Sequence, residues 1–218
     1  MSFGTGYASW SLVEVFRENT DRCPIMLPIV LEQDAARLAR LRLQNGTIWR
    51  WNRPLIGFND QGTPHLRIEH RVMAAGPTVA DMMANLVFYY GLVAALAAEP
   101  VPPETRLPFA AARGNFYAAA RQGRNATVMC ADGSQRLLGQ QILAELLPAA
   151  HAGLQLLGAS GHYTSRALGI IEQRARSGRT GSHWQSAFVE RHGPDRALLT
   201  LEYAARQRSE ACVHEWTL

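Results

Sequence analysis

The run His65-Leu66-Arg67-Ile68-Glu69-His70-Arg71-Val72 constrains the fold of this chain more than any other stretch. Its alternation has a period of two, the period of a β-strand. His65, Arg67, Glu69 and Arg71 therefore share one face, and Leu66, Ile68, His70 and Val72 share the other. A carboxylate flanked by two guanidinium groups on one strand face suits a site that holds a metal cation and phosphate oxygens together. Carboxylate oxygens bind hard cations, and arginine binds phosphate through paired hydrogen bonds. The same pattern also fits a solvated sheet face with cross-strand ion pairs.

The flanking residues extend this strand into a unit. Upstream, Asn45-Gly46-Thr47-Ile48-Trp49-Arg50-Trp51-Asn52-Arg53-Pro54 reads as a first strand by its aromatic and β-branched content, closed by a proline. Asn59-Asp60-Gln61-Gly62 supplies a turn, which predicts an antiparallel hairpin over about residues 43–72. Downstream, Gly76-Pro77-Thr78 begins a long helix, with Thr78 capping it and Asp81 near the positive end of its dipole.

Three blocks of this sequence resemble one family in order and approximate spacing. They are Trp49-Arg50-Trp51-Asn52-Arg53-Pro54, then Arg67-Ile68-Glu69-His70-Arg71 followed by Gly76-Pro77-Thr78-Val79-Ala80-Asp81, and last Asn115-Phe116-Tyr117-Ala118-Ala119-Ala120-Arg121-Gln122-Gly123. Together they resemble the C-terminal half of the bacterial glutamate-cysteine ligase and carboxylate-amine ligase family. The resemblance implies a partial glutamine-synthetase-like ligase fold and ATP- and Mg-dependent amide formation. In such ligases the γ-carboxylate of glutamate is phosphorylated, an amine such as that of cysteine attacks the acyl phosphate, and the reaction belongs to glutathione biosynthesis. By the same resemblance Glu69 matches the magnesium-ligand position and Arg71 the arginine that steadies the transferred phosphate. Arg53 and Arg67 are candidates for binding a substrate carboxylate or a nucleotide phosphate.

The chain departs from the family pattern in two places. No segment reads as the Glu-rich strand that carries further metal ligands in the family's N-terminal half. Gly114 stands where relatives often have glutamate. The expectation is therefore a ligase completed by an N-terminal half or a complementing chain, or else a homo-oligomer. The alternative is a non-catalytic module that keeps the fold and binds a ligand or partner.

Composition sets the outer limits. With 218 residues the chain is long enough for one substantial core, and a single domain over 1–218 is expected, with a possible subdomain break near 99–106 at Glu99-Pro100-Val101-Pro102-Pro103. The formal charge of +4 is spread along the sequence without a basic block, so nucleic acid is not the expected partner. Leu86 to Ala98, the most apolar stretch, is shorter than the ~20 residues that cross a bilayer, so it is read as a core helix and no membrane partner is expected. Cys23, Cys130 and Cys212 are scattered and odd in number, and the N-terminus lacks a secretory pattern. Both point to free thiols in the cytoplasm.

The remaining sequence is mainly helical. Helices are expected over about Ser9 to Arg22, Asp34 to Leu41, Leu107 to Arg121, Ser134 to Leu157 with a break or kink at Pro148, Tyr163 to Arg176, Ser182 to His192 and Pro194 to Ser209. Asn125 to Ala131 with Asp132-Gly133 reads as a short strand or loop and a turn. His65 and His70 lie five apart on a strand and face opposite ways, so they form no metal pair. The expected fold class is α+β: a small antiparallel sheet packed on a long helix, with a C-terminal helical bundle.

Overall fold

The computed structural model describes residues 3–29, 35–159 and 161–218. The chain is α+β and divides into two compact units, Met1–Ala74 and Ala75–Leu218. The proline connector near 99–106 falls inside the second unit.

The first unit contains α1 (Val13–Arg22), a 3₁₀ turn (Ala35–Arg37), α2 (Ala39–Thr47) and the hairpin of β1 (Asn52–Phe58) and β2 (Pro64–His70). The hairpin pairs antiparallel with Arg53 opposite Glu69, Leu55 opposite Arg67 and Gly57 opposite His65. Its turn is held by Asn59, whose Oδ1 accepts from the amides of Gln61 and Thr63. Asn45-Gly46-Thr47 closes α2 and does not begin β1, which corrects the first strand as read from sequence. Pro54 lies inside β1. It is tolerated because β1 has only one sheet neighbour: the Pro54 carbonyl accepts from Asn45 Nδ2 at 2.8 Å and faces away from β2. Of the helix expected from Asp34, residue 34 lies outside the described residues, and the α-helix itself runs on to Thr47.

A buried polar cluster fastens this unit. Asn19 of α1 donates to Asn45 Oδ1 at 3.0 Å, and Arg50 donates to Asn19 Oδ1 and pairs with Glu18 at 3.0 Å. Because all three buried groups have partners, the cluster fixes α1, α2 and the entry to β1 against one another.

The second unit starts at α3 (Val79–Ala97). Thr78 caps it as expected, with Oγ1 accepting from the Asp81 amide and donating to Asp81 Oδ2. After a 3₁₀ turn (Pro103–Thr105) come α4 (Phe109–Gln122), a hairpin of β3 (Thr127–Met129) and β4 (Gln135–Leu137), and α5 (Leu138–Gln141). A π-helical segment (Ile142–Leu146) then leads into α6 (Leu147–Leu156). β4 is a strand that the helical reading from Ser134 missed. At Pro148 the helix does not break: the π-helical turn just before it re-registers the backbone where proline withholds an amide. The unit closes with α7 (His162–Ser177), α8 (Gly181–His192), α9 (Arg196–Arg208) and a 3₁₀ turn (Val213–Glu215).

The core lies where α3, α6 and α7 meet, around Ala84, Ala150, Leu154, Leu168, Ile170 and Ile171. A second cluster of Trp184, Phe188, Val213 and Trp216 packs the C-terminal turn against α8. The α3–α6 contact is set by glycine. A Cβ on Gly153 would overlap the Gly91 carbonyl oxygen and sit 2.7 Å from the Ala95 nitrogen. Gly153→Ala is expected to cost roughly 1–3 kcal/mol by forcing the helices apart. Gly169→Ala, in α7 with open space around its Cβ position, should be neutral or stabilising. Thermal melts of the two variants check this. Equal melting temperatures would refute the close-packing account.

Candidate anion-binding face on the hairpin

The hairpin register brings three of the four residues singled out from sequence into one cluster. Arg53 reaches across from β1 to Glu69 on β2, with Nε and a terminal nitrogen 2.9 and 2.7 Å from Glu69 Oε2. Arg53 also donates to the Gly46 carbonyl at the end of α2. Arg71 stands 3.9 Å from the same carboxylate oxygen, and its guanidinium lies 4.7 Å from the centre of the Trp49 ring. Arg67 lies in register on the same face, opposite Leu55, exposed and without a hydrogen bond or ion pair among the described residues. His65 covers Gly57, where a Cβ would overlap its imidazole. His70 is on the other face with Nδ1 2.7 Å from Asn52 Oδ1, and partial burial lowers its pKa and keeps the ring neutral at pH 7.

Two guanidinium groups converge on one carboxylate, and a third waits in line on the strand. The face therefore carries a positive surplus in a fork geometry suited to phosphate or carboxylate oxygens. Trp49 was not singled out as a site residue, although basic–aromatic alternation marked the segment. Its ring packs against the Arg71 guanidinium.

The fit to a magnesium ion is poorer. Hard cations take about six oxygen ligands, whereas Glu69 offers one carboxylate whose Oε2 is already engaged by Arg53. Among the described residues no group of three or more His, Cys, Asp or Glu side chains could hold a metal. The described residues do not by themselves complete a magnesium shell.

Elsewhere in the second unit, Asn115, part of the third sequence block, clamps β3. Its side chain donates to the Met129 carbonyl and accepts from the Met129 amide, both at 2.8 Å. The Ser177–Ser182 loop ends one helix and starts the next: the amide of Gly178 bonds the Arg174 carbonyl, and Thr180 accepts from the His183 amide.

By class the chain is an α+β protein whose hairpin carries an arginine-rich face around a single carboxylate. The sequence model of glutamate-cysteine ligase family 2 (GCS2) matches residues 12–201, most of both units, and the chain belongs to that family. Membership suggests a carboxylate-amine ligase activity. Comparison with curated proteins and with solved structures returns no match.

Proposed function

We propose that this chain is the C-terminal portion of an ATP- and magnesium-dependent carboxylate-amine ligase of the glutamate-cysteine type. The γ-phosphoryl group of ATP passes to a glutamate carboxylate with release of ADP. The amine nitrogen of an acceptor such as cysteine then attacks the acyl carbon, and phosphate leaves. The Arg53–Glu69–Arg71 cluster, lying inside the family match, is the observation that carries this reading. Arg71 steadies the transferred phosphate, Arg53 and Arg67 hold a substrate carboxylate or nucleotide phosphate, and Glu69 is one metal ligand. Preorganised positive charge of this kind acts on the oxygens where charge accumulates and needs no side-chain nucleophile. The remaining metal ligands come from an N-terminal half or a complementing chain.

A second reading is a non-catalytic ligand- or partner-binding module. It is favoured by one observation, the engagement of Glu69 Oε2 by Arg53 with no group of three or more metal-binding side chains among the described residues.

Isothermal titration with ATP, with and without magnesium and glutamate, separates the two. The ligase reading expects magnesium-dependent heat at micromolar to low millimolar affinity. Nucleotide heat that ignores magnesium would overturn it and leave the module, whereas no heat at saturating magnesium and glutamate would mean that the site needs the N-terminal half or complementing chain.

A further inference from the structure

We propose that the outer face of α3 is a self-association surface on which a second copy of this chain packs its own α3. This goes beyond the ligase reading and stands or falls without it.

The starting point is that α3 is apolar all round while only one side of it is covered. Asp81, Ala84 and Gly91 are buried on the side that packs against α6 and α7. The opposite side carries Val79, Met83, Leu86, Tyr90, Val93 and Ala97, all exposed, with Val79 at 70% and Tyr90 at 54%. A helix without a polar face belongs in an interior, and only 17% of its most apolar window is buried.

The spacing says what kind of cover fits. From Val79 to Ala97 the exposed residues follow at intervals of four, three, four, three and four. That is the seam of a two-helix coiled coil, and a groove for an extended peptide would not need it. Met82 and Leu96 widen the stripe on its flanks. The only charged residue of α3 is Asp81, which is buried, so nothing on the outer face repels an identical face. A surface that is its own complement suits a two-fold pair. Summed from their exposures, these side chains present on the order of 600 Å² per copy. Two copies would bury about 1,200 Å², the lower end for a specific interface.

A bilayer fits less well, although α3 has the length and apolarity to cross one. Its inner face is fixed to α6 at the Gly91–Gly153 contact and to α7 by the Asp81–Arg174 ion pair. α7 carries Arg166, Glu172, Arg174 and Arg176, which would have to follow α3 into the hydrocarbon.

The test uses the full chain. Sedimentation velocity from low to high micromolar concentration is expected to show a reversible monomer–dimer equilibrium. Leu86→Glu with Tyr90→Glu should raise its dissociation constant at least about tenfold. Should that variant misfold by circular dichroism, a cross-linking arm decides instead. The stripe from Val79 to Ala97 is centred between Leu86 and Tyr90, so Leu86 meets its own copy in parallel pairing and Tyr90 of the copy in antiparallel pairing. In a Cys23→Ser background, Leu86→Cys alone (parallel pairing) or Leu86→Cys with Tyr90→Cys (antiparallel pairing) should give a disulfide-linked dimer under mild oxidation, and Tyr163→Cys, exposed and outside α3, should not. A chain that stays monomeric throughout, or both the single Leu86→Cys and the Leu86→Cys/Tyr90→Cys variants cross-linking no better than Tyr163→Cys, would overturn the proposal. So would flotation of the wild-type chain with phosphatidylcholine vesicles that the double glutamate variant loses, which would assign the stripe to a lipid surface.

Discussion

On the ligase reading, Glu69→Ala is expected to abolish the magnesium dependence of nucleotide binding in the assembly that supplies the other metal ligands, while leaving the fold almost untouched. The two halves of that expectation have different causes. The Glu69 side chain is 37% exposed and pairs with Arg53 and Arg71 near water, so losing the pairs should cost only about 0–1 kcal/mol of stability. Its effect on ligands is larger because it is the one acidic group at the centre of the cluster. Without it, the forks of Arg53 and Arg71 are left unpaired on one strand face. Free anions, including ATP without magnesium, should then bind at least as well as to the wild type, while any contribution routed through the carboxylate disappears. If Glu69 is only a partner for Arg53, the magnesium dependence of the titration will be the same in both proteins. Arg71→Lys provides a complementary readout: lysine keeps the charge but loses the planar fork and its stacking on Trp49, so a change in binding would report geometry over net charge.

How much of this site was legible in the sequence depends on whether the signal was local. The alternation from His65 to Val72 placed Arg67, Glu69 and Arg71 on one face; the register puts Arg67 and Glu69 on one face and adds Arg53 opposite Glu69, and Arg71, just past the strand, stands 3.9 Å from the Glu69 carboxylate. The Thr78 cap and the bounds of α8 and α9 were equally readable, because capping chemistry and periodicity act within one turn or two. The start of β1 was not. Trp49 to Pro54 has strand composition, but Trp49 supports Arg71 before the strand begins, and the proline expected to end β1 sits inside it. Alternation also predicted a half-buried hairpin, yet Leu66 and Ile68 remain 51% exposed, since burial depends on what covers a face. The same holds for α3, read as a core helix from its apolar run and covered on one side only. Nor does any local pattern record a break at Ala74, or a contact between residues 132 positions apart in sequence.

That distant contact gives the largest expected loss of stability. Asp81 is wholly buried at the first turn of α3, and its Oδ2 accepts from Thr78 Oγ1 and, at 3.1 Å, from the amide of Val213 in the C-terminal turn. Its other oxygen makes no hydrogen bond and faces the Arg174 guanidinium at 3.6 Å. Burial pulls the pKa of Arg174 down and the Asp81 charge opposes that pull, so the two ions justify each other's place in the core. Asp81→Ala leaves the Arg174 charge with only the Asn85 amide oxygen, at 2.7 Å, among the described residues, and at once strands the Val213 amide and the Thr78 hydroxyl. It should destabilise the second unit by about 3–5 kcal/mol, a fall in Tm of roughly 10 °C. Asp81→Asn, which keeps an acceptor for Val213, should lose less. Adding Arg174→Leu to Asp81→Ala should recover part of the loss, because the stranded charge goes and what remains is the unpaired Val213 amide and Thr78 hydroxyl, each worth about 1–3 kcal/mol. Additive losses in the double variant, read by differential scanning calorimetry, would show that the pair does not interact and that Asp81 acts through the Val213 amide and the Thr78 hydroxyl alone.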